Sequence, residues 1–65
     1  MRIMHNGEAV EVTSETLETI LNELGYAETV VATALNGEFI PVSMRENTSL
    51  NPGDSIEVLA PMQGG

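Results

Sequence analysis

Only one stretch of this sequence repeats its apolar residues at helical spacing, and that limits the folds open to the chain more than any other feature. Leu17, Ile20, Leu21 and Leu24 stand at i, i+3, i+4 and i+7 and so line one face of a helix. Ahead of them, Thr13-Ser14-Glu15-Thr16 supplies hydroxyls able to cap the first turn and a carboxylate near its positive end. Gly25 suits the left-handed position that closes such a helix. Burying the four side chains contributes roughly 1.5–3 kcal/mol each, an upper bound because an unfolded chain already hides part of its surface. The stripe has to lie against something, and the rest of the chain offers only strands.

Met1, Ile3 and His5 alternate with Arg2 and Met4 until Asn6-Gly7, a pair suited to a two-residue type I′ turn because both central residues need positive φ. Residues 8–12 are the expected return strand, with Val10 and Val12 inward. Residues 30–35, Asn36-Gly37 and residues 38–42 repeat the pattern, and Pro41, lacking a backbone donor, belongs near the end of an edge strand. Residues 44–50 read as irregular, Asn51-Pro52-Gly53-Asp54 as a turn, and residues 55–60 as a last strand with Ile56 and Val58 inward. One helix cannot cover both faces of a doubly wound parallel sheet. The pattern therefore predicts an α+β fold: a mixed sheet of four to five strands with one helix packed across it. The face left bare puts Arg2, Met4, Glu57 and Leu59 outward, as candidates for partner contact. A domain over residues 1–60 and a flexible C-terminal tail over 61–65 are expected.

The side chains present exclude most chemistry. With 65 residues the chain is one domain with little room for a deep cleft, and without cysteine it has no thiolate nucleophile, disulfide or thiol-based zinc site. Its single histidine, His5, follows the inward phase of the first strand and reads as a structural imidazole rather than a base. Glu15, Glu18 and Glu23 fall on or beside the helix and read as a solvated face. Met4, Met44 and Met62 lack the His or Cys neighbours a metal site would need and read as packing or interface residues. No catalytic centre is visible, so the chain is not expected to be an enzyme. Ten acidic residues against Arg2 and Arg45, with no lysine, give a net charge of -8, which repels nucleic acid. Such acidity serves either docking on basic partners or solubility alone. The N-terminal residues carry no secretory or membrane-spanning pattern, and the absence of cysteine fits a reducing cytoplasm, so a cytoplasmic protein is expected; it is also expected to be monomeric when alone.

One feature remains able to react. Gly64-Gly65 follows the last strand, and glycines without side chains let a backbone enter a narrow channel in another protein, leaving the carboxylate as the reacting group. Five extended residues reach about 17 Å. An ATP-dependent partner could adenylate Gly65, turning a poor electrophile into an activated acyl group open to sulfur. Two terminal glycines can also be a cloning scar, a linker stub or chance; their position after the last strand of a one-helix mixed-sheet pattern favours the functional reading.

Taken with Met1-Arg2-Ile3-Met4-His5-Asn6-Gly7, Thr16-Leu17-Glu18-Thr19-Ile20-Leu21, the run from Ala34 to Pro41, Pro52-Gly53-Asp54 and Pro61-Met62-Gln63-Gly64-Gly65, the chain resembles the ThiS family of thiamine-biosynthesis sulfur carriers. It is more distantly similar to the small subunit of molybdopterin synthase and to ubiquitin. The resemblance implies a ubiquitin-like β-grasp fold and a cycle in which a ThiF-like adenylyltransferase activates Gly65. Sulfur from a cysteine desulfurase or rhodanese-type protein then makes a thiocarboxylate, and a ThiG-like thiazole synthase takes that sulfur. It implies no stably bound cofactor, with ATP and magnesium used by the activating partner. Gln63, Gly64 and Gly65 would form the working tail, with Leu59, Met62 and Met4 as partner contacts. Val42 stands where many members carry a basic residue, and Met44 near a frequent aromatic. A carrier for molybdopterin or another sulfur metabolite, or a ubiquitin-like modifier or interaction module, are the alternatives. The lack of lysine argues against a modifier that polymerises on itself.

Overall fold

Both Asn-Gly pairs take the backbone to positive φ, 51° and 87° at Asn6 and Gly7 and 50° and 86° at Asn36 and Gly37, in the computed structural model, which describes residues 1–60. Each closes an antiparallel hairpin, the first between β1 (Arg2–His5) and β2 (Glu8–Glu11), the second between β3 (Ala32–Leu35) and β4 (Glu38–Ile40). The last strand, β5 (Ser55–Leu59), runs between the hairpins, parallel to β1 and antiparallel to β3. The sheet order is β2-β1-β5-β3-β4, five strands with the C-terminal one in the middle.

The helix, α1 (Leu17–Glu23), is seven residues long, too short to persist unaided, so packing holds it. Thr16 is its N-cap, accepting a hydrogen bond from the Thr19 amide, and Gly25 follows at φ 97°. Leu17, Ile20 and Leu21 are buried against Ile3, Ile56 and Val58 of the two central strands, while Leu24 packs at the rim of that core. Main-chain bonds from Leu17 to Thr48 and from Leu50 to Glu15 tie the start of the helix to the segment ahead of β5. This one-helix, mixed-sheet arrangement is the β-grasp.

Four expected boundaries move, the first at the second strand, which ends at Glu11 rather than residue 12. The third strand starts at Ala32 rather than residue 30, because a turn at Tyr26–Thr29 carries the chain into the sheet late and leaves Val30 exposed. The fourth ends at Ile40, since Pro41 has no amide to donate and a 3₁₀ helix, Val42–Asn47, begins there. That helix occupies much of the segment expected to be irregular. The fifth ends at Leu59. The inward and outward phases predicted for β1 and β5 stand: Ile3, Ile56 and Val58 are buried, and Arg2, Glu57 and Leu59 are exposed.

Candidate functional site

Register decides what the bare face of the sheet presents. Ala32 pairs with Leu59, and Ala34 pairs with both Glu57 and Phe39, so these five side chains share one face. Small alanines on β3 leave the larger residues beside them uncovered, with Leu59 69% and Phe39 66% exposed. Val30 adds to the same end of the sheet, and an open hollow of about 460 Å³ is lined by Val30, Val31, Ala32, Leu59 and Ala60. A second hollow of about 130 Å³ lies between Phe39, Ala34, Glu57 and Leu59. The result is an apolar patch around the end of β5, from which the chain continues into residues 61–65.

Of the predicted contact residues, Leu59 sits in this patch and Met4 does not. Met4 pairs with Ser55 at the other end of β5, four residues from Leu59 or about 13 Å along the strand, and it is half-buried beside Ala9. The structure puts the two on one face without bringing them together. Met62, Gln63, Gly64 and Gly65 lie outside the described residues. Phe39 was not singled out from the sequence, though the Asn36-Gly37 turn sets the pairing that places it opposite Ala34.

His5 is held by structure rather than poised for chemistry. Its Nε2 lies 2.9 Å from the Tyr26 hydroxyl and the two rings meet edge to face, which locks the turn after α1 against β1. Among the described residues no group of three His, Asp or Glu side chains is close enough to hold a metal ion. Glu23 braces a loop. Its carboxylate accepts hydrogen bonds from the Thr13 and Ser14 amides, that from Thr13 foremost, and these hold its pKa below the usual glutamate value.

The central strand is pinned by both turn asparagines. Asn36 Oδ1 accepts from the Ser55 amide at 2.9 Å, and Asn36 Nδ2 donates to Asp54. Asn6 Oδ1 accepts from the Val58 amide at 2.8 Å, and Asn6 Nδ2 donates to the Val58 carbonyl at 3.1 Å. The sequence marks both residues only as turn formers.

A model of the ThiS family matches residues 3–65, nearly the whole chain and through Gly64-Gly65. The chain belongs to the ThiS family. Its fold agrees with the crystal structure of the thiamine biosynthesis protein ThiS from Geobacter metallireducens, at 29% identity and a TM-score of 0.85 with all of both chains covered. A solution structure of a thiamine biosynthesis protein from the same organism gives 0.79 at 29% identity, covering this chain fully and 88% of that one. A thiazole synthase of Paramagnetospirillum magneticum is 36% identical over 66 residues, covering all of this chain. The chain spans 20% of that relative's length. Both solved neighbours are thiamine biosynthesis proteins by name. No helix among the described residues is long and apolar enough to cross a membrane.

Proposed function

We propose that this chain carries sulfur on the carboxyl group of Gly65 for the formation of the thiazole ring of thiamine. A carboxylate oxygen of Gly65 attacks the α-phosphorus of ATP in a ThiF-like adenylyltransferase, expelling pyrophosphate. Hydrosulfide, released by a thiol reductant from the persulfide of a cysteine desulfurase or rhodanese-type donor with the thiol going to disulfide, then adds to the acyl carbon and displaces AMP. Sulfur now stands where one carboxylate oxygen stood, and a ThiG-like thiazole synthase takes it. ATP and magnesium belong to the activating partner's site. The carrier supplies a narrow C-terminus and a surface to hold on by: Leu59 in the apolar patch, with Met62 beyond it, and Met4 as a separate contact farther along the sheet.

The observation that carries this reading is the family match running through Gly64-Gly65. Support for thiazole formation, rather than another sulfur metabolite, comes from the thiazole synthase relative, in which a stretch like this whole chain is part of the same polypeptide. The test is intact mass spectrometry after incubation with ATP, magnesium, a sulfur donor and the activating enzyme, beside a variant lacking Gly65. Replacement of one oxygen by sulfur in the chain, and not in the variant, is the expected result. An unchanged mass, with the same enzyme active on a known carrier, would overturn the proposal.

A further inference from the structure

β1 turns away from β5 before β5 ends. The parallel pairing covers Met4 with Ser55 and His5 with Ile56, and the Asn6 amide donates to the Ile56 carbonyl at 3.0 Å; one residue later the chain has entered the Gly7 turn. On the other flank, β3 follows β5 as far as Leu59. In an antiparallel pair the main-chain groups of successive residues point alternately toward and away from the neighbour. The amide and carbonyl of Val58 point away from β3, toward the space β1 has vacated. The Asn6 carboxamide fills that space and meets both, so a side chain takes the place of the missing strand residue.

We infer that Asn6 is a positioning residue for the C-terminal tail, holding the exit end of β5 so that Leu59 and the chain beyond Ala60 leave the sheet from a fixed point. The inference rests on the carrier reading above for its functional consequence. Asn36 supplies the control, because it makes the equivalent bond to Ser55 at the far end of the same strand. Loss of Asn36 loosens the entrance to β5, and loss of Asn6 loosens its exit. A loosened exit adds about 3.3 Å of slack per freed residue and unfixes Leu59, which weakens docking without touching the reacting carboxyl.

The experiment compares Asn6→Gly with Asn36→Gly. Both keep the turn, since glycine adopts positive φ freely and the pairs become Gly-Gly, and both delete the carboxamide. Amide hydrogen exchange is read at Val58 and Leu59, and pyrophosphate release by the activating enzyme is followed against carrier concentration. Asn6→Gly is expected to speed exchange at these two amides and to raise KM about tenfold, the size of one net hydrogen bond, with kcat little changed. Asn36→Gly is expected to leave both readouts within about twofold of the parent, a change worth less than one net hydrogen bond. Equal exchange at Val58 in the two variants overturns the inference, as does an equal KM in the two. If the parent chain is never adenylated but exchange differs as stated, the pinning stands and the carrier reading falls.

Discussion

Arg45 is 8% exposed, which is an unusual place for one of the two basic side chains in a chain of net charge -8. Its Nε donates to the Thr33 hydroxyl at 3.2 Å and its Nη2 to the Val31 carbonyl at 2.6 Å, and the Thr33 hydroxyl in turn donates a hydrogen bond to the Ile40 carbonyl. Among the described residues no carboxylate lies within ion-pair distance. Desolvating a guanidinium costs several kcal/mol, and charge-assisted bonds to neutral acceptors offset only part of that. The fork ties the 3₁₀ helix to the start of β3 beside the apolar patch. Arg45→Ala is expected to destabilise the fold by about 2–4 kcal/mol through lost packing and two orphaned acceptors, read as a lower urea midpoint. Arg45→Lys is expected to recover less than half of the loss, because an ammonium cannot present two N–H groups in a fixed fork. Full recovery by lysine would mean that charge alone matters. Nothing in the sequence marks this arginine as buried, since it falls in a segment without strand or helix period. The two asparagines illustrate a related limit: each announces its turn through its glycine neighbour, while its bond to β5 joins residues as far as 52 apart.

At the scale of elements, the apolar periods were readable because each element buries one face. The stripe of α1, the inward phase of β1 and β5, and both hairpins follow from spacing. The late start of β3 and the 3₁₀ helix do not, because a local turn and a missing proline donor act there without any period. Glu23 shows how a seven-residue helix is joined to its surroundings. It sits in the last turn, where the helix dipole disfavours a carboxylate, yet the amides of Thr13 and Ser14 draw it across to brace the loop leading into the helix. Its pKa is lower folded than unfolded. Its contribution to stability is therefore fully present above the ordinary glutamate value, about 4.3, and is lost as the pH falls through the lowered folded value. Glu23→Gln is expected to flatten this part of the acid unfolding curve, measured by circular dichroism from about pH 6 downward. A variant curve parallel to the parent's through that window would show that the carboxylate is not linked to folding.

For the molecule as a whole, the mixed sheet separates two surfaces. One face is used up by α1, and the other stays bare, with an apolar patch at the end that leads into Gly64-Gly65 and Glu57 on the same face. Short-range contact and long-range attraction can then be altered independently. Leu59 is largely exposed, so Leu59→Asp is expected to leave the melting temperature within a few degrees and to raise KM for activation at least tenfold, by placing a charge where an apolar surface must be dried. Raising ionic strength addresses the other component. If the net charge of -8 steers the carrier onto a basic partner, association slows by about tenfold between 0.05 and 0.5 M salt, in the parent and in Leu59→Asp alike, because steering acts before contact. Stopped-flow association with the activating enzyme measures both. A rate indifferent to salt would assign the acidity to solubility alone, and a rise in KM for Leu59→Asp under the same conditions would still place the contact on the sheet.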